Sequence, residues 1–582
     1  MSSSHPGMGA IAVDGGFAFR VWAPHAEAVA VVGDFNGWDE QAHPMEPEGN
    51  GNWYVEVPGA EHGQEYKLLL TNGEHTFHRI DPRAYAVTNS VGNGILYDQG
   101  RFDWEEDGQF QTPGQHELVL YETHIGSFVD TADGPADLHD LTGKLDYLVG
   151  LGVNAIELMP LMEFAGDYSW GYNPAHIFAV EHTYGGPDAL KLFVREAHKH
   201  GIAVLVDVVY NHFGPSDLPT WQFDGWSEDG KGGIYFYNDW RSNTPWGDTR
   251  PDYGRQEVRD FILDNARMWL HDYHVDGLRL DMTPYMRHVD GFTGDIPEGW
   301  EMMRRVGELV RTDFPGRIVI AEDLHNDPAV TSTQEGGAAM HAQWDNQFVH
   351  PVREVLTAPG DEHRSIPAVA KAVMHRYHHA FDRVVYTESH DEVANGKARI
   401  TSEVQGENPS GWDAQKMATL GAALVLTAPG MPMLFQGQEF LEDEWFRDTV
   451  PLDWERAWSF RDITQLFRDL VRMRRNLDGE TAGLCGPNTT LVSLDDDANV
   501  IAYVRSSGDG QHVLVALNLT AHAVQREVEL PGDGRWRVRF NSDARRYSQL
   551  FGDHATPDLE VRDGSALLDL GPYSCVIYLP ED

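Results

Sequence analysis

Several apolar stretches of the sequence end on side chains capable of acid, base or nucleophilic chemistry. Arg279 and Asp281 end the run VDGLRLDM, and Glu322 ends RIVIAED. His390 and Asp391 end RVVYTESHDE. Such runs are typical of buried parallel strands, and the carboxyl ends of barrel strands all open on one face. We therefore expect these groups to meet around one cavity. Further polar residues at the ends of these runs are Asp207, Asn211, His212 and Glu392.

This set of residues suits cleavage of a glycosidic bond with retention of configuration. That mechanism needs two carboxyl groups about 5 Å apart, one to attack the anomeric carbon and one to protonate the leaving oxygen. Arg279 lies two residues before Asp281 on the same strand face, so it would keep Asp281 ionised as a nucleophile. Glu322 follows an apolar run, where burial raises the pKa of a carboxyl group, so it is the expected acid. Asp391 and His390 would bind sugar hydroxyls.

Each of these residues also has a purely structural interpretation. Taken singly, a carboxylate at a strand end is more often a helix cap or a loop anchor. Asp207 lies within an apolar run and can be architectural, and His212 and His390 can be structural histidines. A metal site formed by the same acids finds no support in an H-x-H or H-E-x-x-H spacing, so we expect no metal and no cofactor. The convergence of several such residues favours a catalytic site.

The elements that would position these residues form a regular alternation. From Leu118 onward, eight apolar runs alternate with amphipathic segments such as PDALKLFVREAHKHG. This order predicts the α/β class and a closed (β/α)8 TIM barrel. An open doubly wound sheet would usually show a glycine-rich phosphate turn after its first strand, and the sequence has none.

Segments with alternating polarity flank the predicted barrel on both sides. Residues 1–102 are predicted to be an N-terminal β-sandwich domain, and 103–117 a linker. The barrel is assigned to 118–477. A C-terminal all-β domain is predicted for 478–582.

The composition excludes several classes of protein. The net charge of −47 over 582 residues argues against binding of nucleic acid, which needs clustered Lys and Arg. The most apolar stretch, Met417 to Phe435, is interrupted by Pro429 and Pro432, which predicts a buried helix and a strand instead of a membrane span. The start of the sequence is polar and glycine-rich, unlike a secretory leader. With only two cysteines, we expect a cytoplasmic protein that acts away from membranes.

Four motifs in order, DVVYNH, GLRLD, the Glu of IAED and SHDE, resemble the four sequence regions of the α-amylase superfamily of glycoside hydrolases. The resemblance implies that Asp281 is the nucleophile, Glu322 the acid/base and Asp391 the transition-state stabiliser. It also implies that His212, Arg279 and His390 line the subsite of the reacting sugar, and that Tyr172 of SWGYNP stacks on that sugar. RVWAPHAEAVAVVGDFNGW resembles the β-sandwich module preceding branching enzymes, debranching enzymes and trehalohydrolases.

Within the superfamily the motifs point in two directions. SHDEVANGK, with Glu392 after Asp391, and FNSDARRYS resemble glycogen branching enzymes, whereas DVVYNHFGP, TPWGD and IAEDLHNDPAV resemble maltooligosyltrehalose trehalohydrolases. Met282, Thr283 and Pro284 stand where both groups usually carry an Ala-Val pair, which leaves the acceptor side open.

We expect a 1,4-α-glucan branching enzyme that acts on glycogen, amylose or maltooligosaccharides and needs neither a cofactor nor calcium. The alternatives are a maltooligosyltrehalose trehalohydrolase, an α-amylase or another α-glucanotransferase. From a different class comes a non-catalytic glucan-binding protein, against which the intact Asp281, Glu322 and Asp391 argue.

Overall fold

The computed structural model describes residues 5–105, 107–508 and 510–581, and it begins with a β-sandwich. Two sheets pack face to face through buried side chains such as Phe19 and Tyr66, whose ring centroids are 5.4 Å apart. The first sheet comprises, in spatial order, Gly9–Val13, Gly16–Trp22, Asn52–Pro58 and Glu46–Gly49. The second comprises Ala28–Gly33, Glu65–Asn72, Gly94–Ile95 and Ala86–Val87, with His75–Arg79 paired to Glu65–Asn72.

The central domain is a closed barrel of parallel strands, as the sequence predicts. Each of the eight apolar runs supplies one strand, and pairing of Leu120 with Ala155 on one side and Met433 on the other closes the ring. In order around the barrel, the strands are Leu120–Thr123, Ala155–Leu158, Ala203–Val208, Gly277–Leu280, Ile318–Ala321, Ala342–Trp344, Arg383–Val385 and Met431–Phe435.

The alternation of side chains along the strands separates the packed barrel interior from the catalytic face. Leu120, Leu205 and Ile320 fill the interior as part of one buried apolar cluster. Because every second residue of a strand points to the same side, the residues two positions later also point inward. At the corresponding positions, where the strands end, the sequence has Glu122, Asp207 and Glu322. The interior is therefore apolar below and carboxylate-rich at its carboxyl end.

Amphipathic helices surround the barrel. In Gly186–Lys199 the buried residues Leu190, Phe193, Val194 and Ala197 recur at helical spacing and face the strands. The main helices are Leu145–Leu151, Gly186–Lys199, Gln256–Arg267, Pro297–Asp313, Asn346–Leu356, Ile366–Met374, Trp412–Thr427 and Arg461–Arg474. Shorter helices are Ile125–Phe128, Leu138–Thr142, Pro284–Arg287, Ile400–Val404, Trp454–Ser459 and Ala482–Cys485. An antiparallel pair, Met162–Phe164 with Pro174–Val180, follows the second barrel strand.

The stretch from Met417 to Phe435 divides into a buried helix and a barrel strand, Trp412–Thr427 and Met431–Phe435, as predicted. Among the described residues, no helix combines the length and apolar character needed to cross a membrane.

Within the predicted linker, residues 107–117 pack against the amino-terminal end of the barrel. Asp107 accepts hydrogen bonds of 2.6 Å from both His198 and His274. Thr112 donates a 2.6 Å hydrogen bond to Asp276, directly before the fourth barrel strand. The segment predicted as a linker is thus anchored to the barrel.

The C-terminal domain consists of a large and a small antiparallel sheet around its own apolar core. The large sheet comprises, in spatial order, Asn488–Asp495, Val500–Ser506, His512–Asn518, Ser574–Pro580, Gly534–Asn541 and Leu559–Val561. The small sheet pairs Val524–Glu529 with Ser565–Leu570. A buried ion pair between Lys416 and Asp543 joins this domain to a barrel helix, and both cysteines, Cys485 and Cys575, are free thiols.

Candidate active site

A cleft of about 570 Å³ opens at the carboxyl ends of the barrel strands. It contains most of the residues whose chemistry the sequence singled out. Those lining it are Tyr172, Asp281, Glu322, His390, Asp391 and Glu392, together with the aromatic side chains of Trp170, Trp246, Trp344 and Tyr386 and the neighbouring Met282, Leu324, Asn346, His350, Ser389, Asn395 and Lys397.

Asp281 is fixed by donors from two neighbouring strands. Its backbone follows Gly277–Leu280, and Nη1 of Arg279 lies 3.1 Å from its Oδ1. Nδ2 of Asn211 donates hydrogen bonds of 2.8 Å to its Oδ2 and to its carbonyl oxygen. These contacts hold the carboxyl group in one orientation, as is needed for attack on a carbon.

Glu322 experiences opposing influences. Burial raises the pKa of Glu322 well above its usual range, and the negative charges of Asp281 and Asp391 add to the rise. Arg279 acts in the other direction, since its Nη2 donates to Oε2 at 2.7 Å. The backbone N–H of Met282 donates to the same oxygen at 3.0 Å. A buried carboxyl group with a raised pKa holds a proton and can act as an acid.

Met282 adopts a strained backbone conformation between the two carboxyl residues. Its φ is 37°, in the left-handed region that side-chain-bearing residues rarely occupy. In this conformation the N–H of Met282 donates its hydrogen bond to Glu322, so the strained backbone helps to position the acid.

Arg279 connects the carboxylates beneath the cleft. It is fully buried, its guanidinium lies 4.4 Å from the ring of Trp344, and Nη1 bonds to Oδ2 of Asp207 at 2.5 Å. Burial opposes its charge, but Asp207, Glu322 and their neighbours raise the pKa of Arg279 well above its usual range. Burial also raises the pKa of Asp207 to about 6, against the opposing effect of Arg279. Tyr172 donates a 2.6 Å hydrogen bond to Asp207, which fixes the ring at the cleft wall.

His390 is held as a cation on the same wall of the cleft as Tyr172. Its Nδ1 lies 2.5 Å from Oε1 of Glu122, and its backbone N–H donates to Oε2 at 3.1 Å. Burial alone would lower its pKa, but Asp391 and Glu122 raise the pKa of His390 to about 10. Its Nε2 lies 3.4 Å from Asp391, whose side chain is 42% exposed, and its ring stacks on Tyr172 at 5.0 Å.

Glu392 lies at the edge of the cleft among cationic groups. Lys397 approaches its Oε1 to 2.7 Å and Arg353 its Oε2 to 3.3 Å. These two ion pairs fix the side chain of Glu392, which also lines the cleft.

Four of the predicted substrate-contacting residues do not line the cleft but are buried beneath its surface: Asp207, Asn211, His212 and Arg279. Nδ1 of His212 forms a 2.6 Å hydrogen bond with Oδ1 of Asn211, and its Nε2 forms a 2.8 Å hydrogen bond with the carbonyl oxygen of Tyr172. Its ring stacks on Trp246 with centroids 4.3 Å apart. These four residues thus lie next to the catalytic candidates and hold the residues that line the cleft. Their direct contact with substrate stays a prediction.

Sequence reasoning missed Glu122, Glu157 and the cleft tryptophans. Glu122 occupies the same inward strand-end position as Asp207 and Glu322. The alternation of side chains within LYET could therefore have indicated that it points toward the site. Glu157 pairs with Glu122 across the first two strands and is buried, which raises its pKa to about 8. The cleft tryptophans could not be distinguished by sequence from the others among 17 in the chain.

Within the described ranges, one group of side chains could hold a metal ion: Glu163, Glu181 and His182, on the hairpin after the second strand. Its donor atoms already bond to one another and to nearby backbone. Nδ1 of His182 lies 3.0 Å from Glu163, and Thr183 donates to Glu181 at 2.7 Å. These bonds stabilise the hairpin.

Comparison with known families accounts for the barrel, the cleft and both flanking domains. The model described as "Alpha amylase, catalytic domain" matches residues 123–227 and 219–478. "Carbohydrate-binding module 48 (Isoamylase N-terminal domain)" matches 7–84, and "Alpha amylase, C-terminal all-beta domain" matches 492–581. The chain is a retaining enzyme of the α-amylase family.

Curated relatives that are similar over most of the chain include glucan branching enzymes. The chain is 32% identical to 1,4-alpha-glucan branching enzyme GlgB 1 of Xanthomonas axonopodis pv. citri, over 93% of this chain and 78% of the relative. It is 33% identical to the GlgB enzyme of Methylococcus capsulatus, over 92% and 75%.

Solved structures with the same fold include two pullulanases. That of Anoxybacillus sp., complexed with maltotetraose, has a TM-score of 0.78 at 20% identity over 99% of this chain and 88% of the other. That of Paenibacillus barengoltzii, complexed with maltohexaose and alpha-cyclodextrin, also has a TM-score of 0.78 at 20% identity, over 100% and 96%. At this identity the likeness supports the fold alone.

Proposed function

We propose that this enzyme is a 1,4-α-glucan branching enzyme, which cleaves an α-1,4 bond and re-forms an α-1,6 bond. The observation that carries the chemistry is the single guanidinium of Arg279, which contacts both Asp281 and Glu322 at the floor of the cleft. Contact with one guanidinium is consistent with two carboxyl groups at the short separation that a retaining mechanism requires. The choice of branching is supported by the GlgB relatives at 32–33% identity.

In the first step, Oδ of Asp281 attacks the anomeric carbon of the bound glucan. The bond from that carbon to the glycosidic oxygen breaks, and Glu322 transfers its proton to the departing oxygen. Arg279 and Met282 both bond to Oε2 of Glu322, so we assign Oε1 to the substrate. The step leaves a glucosyl ester on Asp281 and an ionised Glu322.

In the second step, the 6-hydroxyl of an acceptor glucan takes the position of the leaving chain. Glu322 accepts the hydroxyl proton, the oxygen attacks the anomeric carbon, and the bond to Asp281 breaks. Water in the same position would give hydrolysis, so the reaction depends on which nucleophile the cleft admits.

The remaining cleft residues would bind the reacting sugar. Protonated His390, supported by Glu122, would donate to a hydroxyl, and Asp391 would accept from one while charge develops at the anomeric centre. Tyr172 would stack on the ring. Glycogen, amylose and maltooligosaccharides are the proposed substrates, and the two free thiols accord with a cytoplasmic location.

Proton NMR of amylose incubated with the enzyme, together with an assay of reducing ends, tests the proposal. New α-1,6 anomeric signals with little rise in reducing ends would support branching. A rise in reducing ends without α-1,6 signals would indicate a hydrolase, and release of trehalose from maltooligosyltrehalose would then identify a trehalohydrolase. An amylose sample unchanged by the wild-type enzyme, like one treated with Asp281→Asn, would favour a non-catalytic glucan-binding protein.

A further inference from the structure

Two large aromatic side chains protrude into solvent from the segments that follow the third and fourth barrel strands, and these segments lie on the catalytic face of the barrel. Phe292 is 75% exposed and Trp240 is 61% exposed. Phe292 stacks on His325 with ring centroids 4.9 Å apart and an angle of 24° between the rings. We call these three residues the rim cluster. Exposed aromatic surface is unfavourable in water, so its concentration next to an active-site cleft indicates a binding surface.

The loop that carries Phe292 is held in a fixed shape. Oδ1 of Asp290 accepts hydrogen bonds from the backbone N–H groups of Phe292, at 2.9 Å, and Thr293, at 2.5 Å. The hydroxyl of Thr293 donates to Oδ2 of the same residue at 2.7 Å. These bonds close a tight turn that presents the phenyl ring outward, so the ring is pre-organised for a ligand.

Trp240 lies on a second loop that packs directly against the first. A Cβ on Gly294 would lie 3.4 Å from Cζ3 of Trp240, and Gly294 has a φ of 74°. The loop is fastened at its base by the ion pair of Arg241 with Asp239, at 2.7 Å. The two loops therefore form one continuous surface instead of two separate protrusions.

The rim cluster adjoins the side of the cleft from which the leaving chain departs. His325 directly follows Leu324, which lines the cleft two residues after Glu322. Because the acid must reach the glycosidic oxygen, the leaving chain lies against the loop of Glu322. Tyr172 and His390 form the other wall, around the sugar that is attacked. An acceptor approaches along the path of the leaving chain, since its proton passes to Glu322.

We propose that the rim cluster binds the α-1,4-glucan chain on the leaving and acceptor side of the cleft, by stacking sugar faces on Phe292 and Trp240. This inference rests on the proposed action on α-glucans, but it does not depend on the linkage formed. Flat rings match the apolar faces of glucose, and fixed loops reduce the entropy lost on binding. The cluster would make the enzyme favour long chains over short ones.

Cleavage of linear maltooligosaccharides of increasing length, labelled at the reducing end, tests the inference. The kcat/KM of the wild-type enzyme is expected to rise with the length of the leaving chain. Phe292→Ala should lower it about three- to tenfold for long leaving chains and leave maltotriose unchanged. Phe292→Tyr keeps the flat ring, so its kcat/KM for long leaving chains should be close to that of the wild type. Trp240→Ala tests the same surface from the second loop.

Trp458→Ala is the matched control, because Trp458 is 73% exposed on the separate helix Trp454–Ser459. The inference is overturned if Phe292→Ala and Trp240→Ala keep the wild-type dependence on length, as Trp458→Ala should. It is also overturned if Phe292→Ala alters only self-association in sedimentation, which would make the surface a contact between copies. Absence of α-1,6 bonds would contradict branching alone, since the length dependence is read from cleavage.

Discussion

The floor of the cleft and its rim are built in opposite ways. On the floor, Asp281, Glu322 and Arg279 are buried, and each is bonded by groups on neighbouring barrel strands. On the rim, Phe292 and Trp240 are exposed and are carried by loops. Rigid strands place reacting atoms accurately, whereas loops can present surface to a long substrate. The difference suggests that the floor determines the chemistry and the rim determines which chains are processed.

The largest effect is expected from the two carboxyl groups of the floor. Asp281→Asn removes the nucleophile and Glu322→Gln removes the acid, so each should lower kcat at least ~10³-fold. Loss should be equal for short and long chains, unlike the effect of a rim variant. Initial rates on amylose, with circular dichroism to verify folding, check this. Activity near that of the wild type in a folded variant would remove that residue from its assigned role.

Arg279→Lys should be next in size, because the one nitrogen of lysine cannot replace the two separated nitrogens that hold Asp207 and Asp281 on one side and Glu322 on the other. We expect a ~10²-fold loss of kcat and about 3 kcal/mol of lost stability, as is usual when a buried charge network is broken. Arg383→Lys is the control, since Arg383 is equally buried and pairs with Asp345 within the barrel. It should lose comparable stability. If both variants lose activity in parallel, Arg279 acts through the fold alone.

Glu122→Gln probes how the floor holds the charge of His390. Glu122 and Asp391 raise the pKa of His390 to about 10 against the effect of burial, so the histidine stays protonated up to that pH. Without the Glu122 charge its proton should be lost at a lower pH. The alkaline limb of the kcat profile should then move toward neutral pH, with roughly tenfold lower activity at pH ~9. An alkaline limb identical to that of the wild type would show that His390 charge is not required.

The same contrast explains what could be predicted from sequence. Barrel strands are buried on both faces, so each appears as an apolar run, and all eight could be located. Asp281 and Glu322 stood out because a carboxylate after such a run is conspicuous. Glu122 did not, because Thr123 and His124 follow it and the run LVLYETHIGSF gives no clear strand end.

The rim cluster could not be predicted. Trp240, Phe292 and His325 lie on three loops, and their proximity depends on turns such as that capped by Asp290. No periodicity in the sequence encodes contacts between loops. The support role of His212 was also hidden, since the direction of its side chain depends on tertiary packing. The contact of Arg279 with Asp281, in contrast, agrees with the expectation from their spacing on one strand face.

The smallest effect on activity is expected from Glu157, which is buried beneath the floor beside Glu122 with its Oε2 lacking a hydrogen-bond partner among the described residues. Burial, with Glu122, raises the pKa of Glu157 from 4.5 to about 8. The folded state therefore keeps a proton that the unfolded state releases above pH ~4.5. Between pH ~4.5 and pH ~8 this difference lowers the free energy of unfolding as pH rises, by up to ~1.4 kcal/mol per pH unit. Above pH ~8 both states have lost the proton and the effect grows no further.

Glu157→Gln keeps the shape of the side chain and removes its titration. Thermal unfolding should show little change at pH ~5 and a higher Tm at pH ~8, while kcat stays within a factor of about two because Glu157 does not line the cleft. Equal shifts in Tm at both pH values would mean that packing, and not the buried proton, sets its contribution.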